Sequence, residues 1–121
     1  MAHSEGLGYV PRSSVKLDKF PVGNLTNMFL RDAVGSTDPN DPAPISGGLF
    51  RMTTGDPFTA TYKYHETLIV LEGSFIVSDD KGHKTMGAVG DTYWIPKGAT
   101  VTIETETGGL AFYTAQRSKR E

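Results

Sequence analysis

The 121-residue chain contains no cysteine, which excludes a disulfide framework, a zinc-thiolate cluster and a thiol nucleophile together and leaves the redox compartment unreadable. Histidine is scarce. Of the three, His3 falls in a tail and His83 in a turn, and neither is assigned a role; only His65 lies within a patterned segment. Neither sign of charge dominates: 12 Lys and Arg against 14 Asp and Glu give a formal charge of −2 and a pI near 5.9. Without a basic field to hold a polyphosphate backbone, nucleic acid is not an expected partner. Long apolar runs are missing too, the longest purely aliphatic stretch being Leu68-Ile69-Val70-Leu71. No membrane span or signal-peptide core is expected, and the default is a soluble cytoplasmic protein.

The chain has the length of one domain. Glycine (14) and proline (7) are spread throughout, and apolar residues recur in short clusters between them, which is a β pattern. Strands are expected at Leu49–Thr53, Phe58–Tyr64, Leu68–Val77, Asp91–Ile95, Val101–Thr105 and Leu110–Thr114, each rich in β-branched or aromatic residues. Turn residues separate them at Gly55–Pro57, Asp79–Gly82, Gly87–Gly90, Pro96–Gly98 and Thr107–Gly109. Strands at such spacing predict a sandwich or small barrel. Asn24–Val34 is the single stretch that could pass for a short helix, and its Met28-Phe29-Leu30 run suits a strand nearly as well. Gly35–Pro44 is a long loop with three prolines, either a lid or a plain connection. Residues 1–22 read as an N-terminal arm, 23–115 as the barrel and 116–121 as a tail.

Two glycine-punctuated motifs run through the middle of the chain. Glu66 is followed by six residues and then Gly73; Gly90 is followed by five and then Pro96, with Gly98 and Val101 beyond. This frame resembles the two signature motifs of the cupins. Within that superfamily, YKYHETLIVLEGSFIVSDDKG (62–82) and GDTYWIPKGATVTIETETGGLAFY (90–113) are similar to the branch named for the ethanolamine-utilisation protein EutQ. His65 departs from that branch, which carries an acid there. The resemblance implies an all-β double-stranded β-helix, or jelly roll, of eight to ten strands. It also places the two metal-binding histidines of motif one at positions 60 and 62 and that of motif two at 101, where this chain has Ala60, Tyr62 and Val101. Three of four ligands are absent, so neither metal nor cofactor is expected.

The positions vacated by those ligands face the barrel interior. The resemblance therefore implies that Tyr62 and Glu66 line a cavity, with Tyr64 near its mouth, Ala60 in its wall and Val101 opposite. A carboxylate buried in an apolar barrel is driven toward its protonated form, which makes Glu66 the first candidate for a general acid or base. Tyr62 and Tyr64 are candidate donors to a substrate oxygen or enolate oxyanion. His65 would pair with Glu66 as base and orienter if a turn brings it round; otherwise it is a surface residue or dimer contact. Of Tyr93 and Trp94, one must face inward, and Trp94 is expected there because it shares a face with Thr92. Arg51, odd amid Leu49, Phe50 and Met52, either clamps a substrate carboxylate or faces solvent.

The leading expectation is a metal-independent enzyme of lyase, dehydratase, isomerase or cyclase type, acting on a small carbonyl or hydroxy compound. Its catalytic residues would be Glu66, Tyr62, His65 and Tyr64, with Trp94, Val101, Arg51 and Ala60 at the substrate. The alternatives are a non-catalytic metabolite-binding or accessory protein and, third, an unusual metal site of Glu66, His65 and Tyr62. A homodimer is expected, because so small a sandwich leaves edge strands to cover, with Tyr9–Val22 as the arm that would do it.

Overall fold

A computed structural model describes residues 6–19 and 25–120. Residues 1–5 and 20–22 of the expected arm, and Glu121 of the tail, lie outside the described residues. Among the described residues a short 3-10 turn, Arg12–Ser14, precedes nine strands: β1 (Asp18–Lys19), β2 (Met28–Gly35), β3 (Ser46–Met52), β4 (Phe58–Thr61), β5 (Glu66–Asp79), β6 (Lys84–Ala88), β7 (Thr92–Ile95), β8 (Thr100–Glu104) and β9 (Gly109–Ala115). Every pairing is antiparallel. The result is an all-β jelly roll of one domain. Among the described residues no helix is long and apolar enough to cross a membrane.

The 14-residue β5 joins the two layers. Its first half pairs with β9 and β7, and its second half with β6 and β8, so one strand serves both sheets. The change of sheet needs a corner, and the residues supply it. The register with β9 slips between Val70 and Glu72, and Gly73 follows at φ 66°, in the left-handed region. A Cβ at Gly73 would lie 1.9 Å from the Gly108 carbonyl oxygen, which belongs to backbone and cannot swing aside. Gly73→Ala is therefore expected to cost about 2–4 kcal/mol of stability, read as a lowered denaturant midpoint with an unchanged slope.

Alternation along the strands fills one half of the barrel with Phe50, Met52, Val70, Phe75 and Ala111, all buried. The rings of Phe50 and Phe75 stack at 5.6 Å. The other half is left open and becomes the site.

Met28–Gly35 is a strand, one of the two forms its sequence left open: Met28 and Asp32 are buried at an even spacing while Leu30 between them faces the same side. Two expectations are corrected. Strand β6 was not expected, since Gly87 read as a turn; Gly87 is instead buried, with the Tyr93 hydroxyl 2.4 Å from where a Cβ would stand. Strand β4 ends at Thr61, and residues 62–65 bend. That bend is held by the Tyr62 N–H on the Ala99 carbonyl (2.9 Å) and the Gly98 N–H on the Tyr62 carbonyl (2.8 Å).

The described part of the arm lies on its own barrel. Asp18 pairs with Leu30 across β1 and β2, the Arg31 Nε–H donates to the Lys16 carbonyl (2.7 Å), and Arg12 reaches Glu72.

Candidate functional site

A cavity of about 450 Å³ opens between the layers beside the 62–65 bend. Met28, Leu30, Phe50, Phe58, Leu68 and Ile103 form its apolar floor. Ala60 is in its wall, and Tyr62, Lys63, Tyr64, Glu66, Tyr113, Arg117 and Arg120 supply the polar groups. Straight strand alternation would send Lys63 away from Tyr62 and Tyr64; the bend breaks the alternation and lets all three reach one space.

Glu66 opens β5, its backbone paired with both Ile95 and Ala115, and only 8% of the residue is exposed. Among the described residues its carboxyl has no hydrogen-bond partner. Burial is the largest influence and pushes it from 4.5 up to about 7, against the pull of the Arg117 and Arg120 charges and with a small push from Asp32. At neutral pH such a group both takes and gives a proton. Burial also pushes the Tyr62 hydroxyl up, helped by Glu66 and Tyr64, so that it stays a neutral donor. Its ring meets Tyr64 edge to face at 6.2 Å.

The C-terminal tail closes the site. Arg117 donates to both Asp32 oxygens, Nη1 to Oδ2 at 2.5 Å and Nη2 to Oδ1 at 3.0 Å. Asp32 also accepts from the Tyr113 hydroxyl and from the Arg120 N–H (2.8 Å). Burial alone would raise the Asp32 carboxyl, but the bonds from Arg117, Tyr113 and Arg120 outweigh it and hold it at about 2. The Arg117 guanidinium carbon lies 5.3 Å from the centre of the Tyr64 ring, and Arg120 Nη2 donates to the Tyr64 hydroxyl at 3.0 Å.

The sequence reading missed Asp32, Lys63, Arg117 and Arg120. Asp32 carried a signal, since it stands two and four residues after the inward Leu30 and Met28. The two arginines carried none, lying in a polar tail that has no alternation of its own.

Several placements are corrected. His65 faces away from the cavity: its ring stacks on Trp94 at 5.0 Å and its Nδ1 accepts the Lys97 N–H at 2.9 Å, so it does not meet Glu66. Trp94 is 61% exposed on the outer face. Tyr93 takes the inward place because Ile95, two residues on, is buried in the core and fixes the parity. Arg51 also points out, 3.3 Å from Glu72. Val101 is buried but borders a second cavity of about 480 Å³, with Tyr93 and Pro96, and does not line the Glu66 cavity. No residue of the 35–44 loop lines the Glu66 cavity; its turn is closed by Asp38 and Asp41 on the Asn40 and Ala43 N–H groups, and it is a connection.

A metal of the kind carried by other cupins needs about three converging ligands. Here the corresponding positions offer one carboxylate, a phenol held protonated, and the side chains of Ala60 and Val101. With His65 turned away, the donor set does not fit a metal, and among the described residues no three of His, Asp and Glu stand together.

Comparison with known proteins agrees with this fold. A family profile described as the EutQ-like cupin domain matches residues 43–110. The crystal structure of an ethanolamine utilization protein Q (EutQ) from Salmonella typhimurium LT2 superimposes with a TM-score of 0.78 at 27% identity, over 92% of this chain and 86% of that one. The EutQ protein of Clostridium difficile gives 0.73 at 21% identity, over 89% and 85%. The polyketide cyclase RemF from Streptomyces resistomycificus gives 0.78 at 17% identity, over 95% and 82%, a likeness of fold. No curated protein matches the chain in sequence. With more than half its length matched by that profile, this chain belongs to the EutQ-like cupin family.

Proposed function

We propose that this protein is an acid–base enzyme in which Glu66 moves a proton on a small carbonyl or hydroxy compound, in a lyase, dehydratase, isomerase or cyclase reaction. The observation that carries the reading is a carboxyl buried in a cavity, without a hydrogen-bond partner among the described residues, and poised at about 7. An isolated buried carboxyl costs stability, and a position that tolerates the cost is a candidate working group. The Glu66 carboxylate takes a proton from the carbon next to the carbonyl. Tyr62 donates to the oxygen that becomes the enolate, and the protonated Glu66 returns the proton to a different atom or to a leaving hydroxyl. The apolar floor limits water around the enolate. The fold is shared with a polyketide cyclase, whose named reaction falls in the proposed class.

A non-catalytic binding protein would use the same cavity differently. Convergent polar groups beside Glu66, namely Tyr62, Tyr64 and Arg120, favour catalysis over a cavity that only holds a ligand. The test is deuterium exchange: incubated in D2O with a panel of small 2-oxo and 3-oxo acids, the protein is expected to speed exchange of the carbon-bound proton, followed by NMR. Glu66→Gln is expected to slow it by roughly two to four orders of magnitude. Exchange that survives the substitution undiminished removes Glu66 from the reaction, and binding without exchange across the panel returns the accessory reading. The proposal includes a homodimer, because β4, β6 and β7 each have a free edge among the described residues. Sedimentation equilibrium should then give twice the 13.1 kDa chain mass.

A further inference from the structure

We infer that the Glu66 cavity selects a singly charged carboxylic acid with an apolar body, its carboxylate held at the mouth by Arg120 with Lys63 beside it and its body on the floor of Met28, Leu30, Phe58 and Ile103. The inference rests on the reading of this cavity as the working site and adds the substrate class. Its first support is the charge count at the mouth. Arg117 is spent on Asp32, which grips it with both oxygens. Arg120 and Lys63 make no ion pair among the described residues.

The second support is preorganisation. The Arg120 backbone N–H is pinned by Asp32 at 2.8 Å, and its Nη2 rests on the Tyr64 hydroxyl at 3.0 Å. A guanidinium has five N–H donors in a planar fork, so one bond to Tyr64 leaves the others to meet a carboxylate side-on. Tyr64 is itself held against Arg117, so the tail, the ring and the guanidinium are tied to one another at the mouth. Tyr64 thus acts as a positioning residue for Arg120.

The third support separates a carboxylate from a phosphate. Glu66 lies in the same cavity and repels a second negative charge, and the floor offers apolar side chains in place of the backbone N–H nests that cradle phosphate. A volume of about 450 Å³ lies within the ordinary range of small-molecule sites and exceeds what a bare anion fills.

Three probes of nearly one shape test the inference: 3-phenylpropionate, its neutral amide, and 2-phenylethyl phosphate, titrated by calorimetry and by amide chemical shifts. The acid is expected to bind in the cavity, with the amide at least about tenfold weaker. Arg120→Gln should weaken the acid about tenfold and leave the amide unchanged, a pattern that a merely structural role would not produce. Glu66→Gln should keep or strengthen acid binding, so loss of exchange in that variant and loss of selectivity in Arg120→Gln fail separately. The inference is overturned if acid and amide bind alike, if the acid does not bind at millimolar concentration, if Arg120→Gln affects both probes equally, or if the phosphate binds more tightly than the acid.

Discussion

Glu66→Gln is expected to make the protein more stable above neutral pH, by about 3 kcal/mol, while lowering its proton-transfer rate by roughly two to four orders of magnitude. The stability gain follows from burial, which lifts the carboxyl from 4.5 in the open chain to about 7 in the fold. Below pH 4.5 both states are protonated and the group contributes nothing. Between 4.5 and 7 the unfolded chain releases the proton and the fold does not, so wild-type stability declines; above 7 the full penalty is present. Glutamine keeps the shape and removes the titration. The difference between wild type and variant should therefore grow across that window and level off above it, as read from denaturant midpoints at several pH values. Wild-type turnover should follow the same ionisation, rising through about 7 where Glu66 must act as base. A difference that does not change with pH would mean a solvated carboxyl and would remove the physical basis of the proposed chemistry.

The parts of this fold that were legible in the sequence are those fixed by local geometry. Gly73, Gly90 and Gly98 all have positive φ and lie at turns or at the sheet corner, where a residue type answers to its own backbone. Gly87 answers to something else: it is small because Tyr93 packs across it from β7, and a glycine required by a neighbour looks the same in the sequence as a glycine required by a turn. Strand β6 was lost for that reason. The Tyr93 and Trp94 pair failed differently. Two adjacent aromatics alternate faces, and the choice between them rested on Thr92 when the buried Ile95 was the better marker of phase.

The candidate site divides the same way. Tyr62, Tyr64 and Glu66 all line the cavity, and their positions came from the motif frame rather than from any property of the three residues. Their chemical roles belong to the proposal. His65 was left open between two faces, and stacking on Trp94 decided it, an outcome that depends on a strand nearly thirty residues away. The tail was opaque because its order comes from Asp32, 85 positions earlier than Arg117. A polar segment with one strong long-range anchor reads, on composition, like a segment with none.

That anchor carries the other large prediction. Asp32→Ala is expected to destabilise the protein by about 3–5 kcal/mol, because it strands the buried Arg117 guanidinium, whose Nε already lacks a partner among the described residues, and frees the Tyr113 hydroxyl as well. Removing both partners should be milder. In Asp32→Ala with Arg117→Met the buried charge is gone, and part of the loss is expected to return, measured as a coupling energy in a double-mutant cycle. The wild-type pH dependence has the opposite sign to that of Glu66. The folded Asp32 carboxyl is held at about 2 against 3.8 in the open chain, so its contribution of about 2 kcal/mol is complete above 3.8 and is lost as pH falls toward 2. Acid unfolding should thus be steeper in the wild type than in the double variant. Because Arg120 is pinned to Asp32 through its backbone N–H, Asp32→Ala should also weaken binding of 3-phenylpropionate while the amide probe is unaffected. A loss of less than about 1 kcal/mol, or unchanged discrimination between the two probes, would mean that the tail reaches the cavity by some route other than this carboxylate.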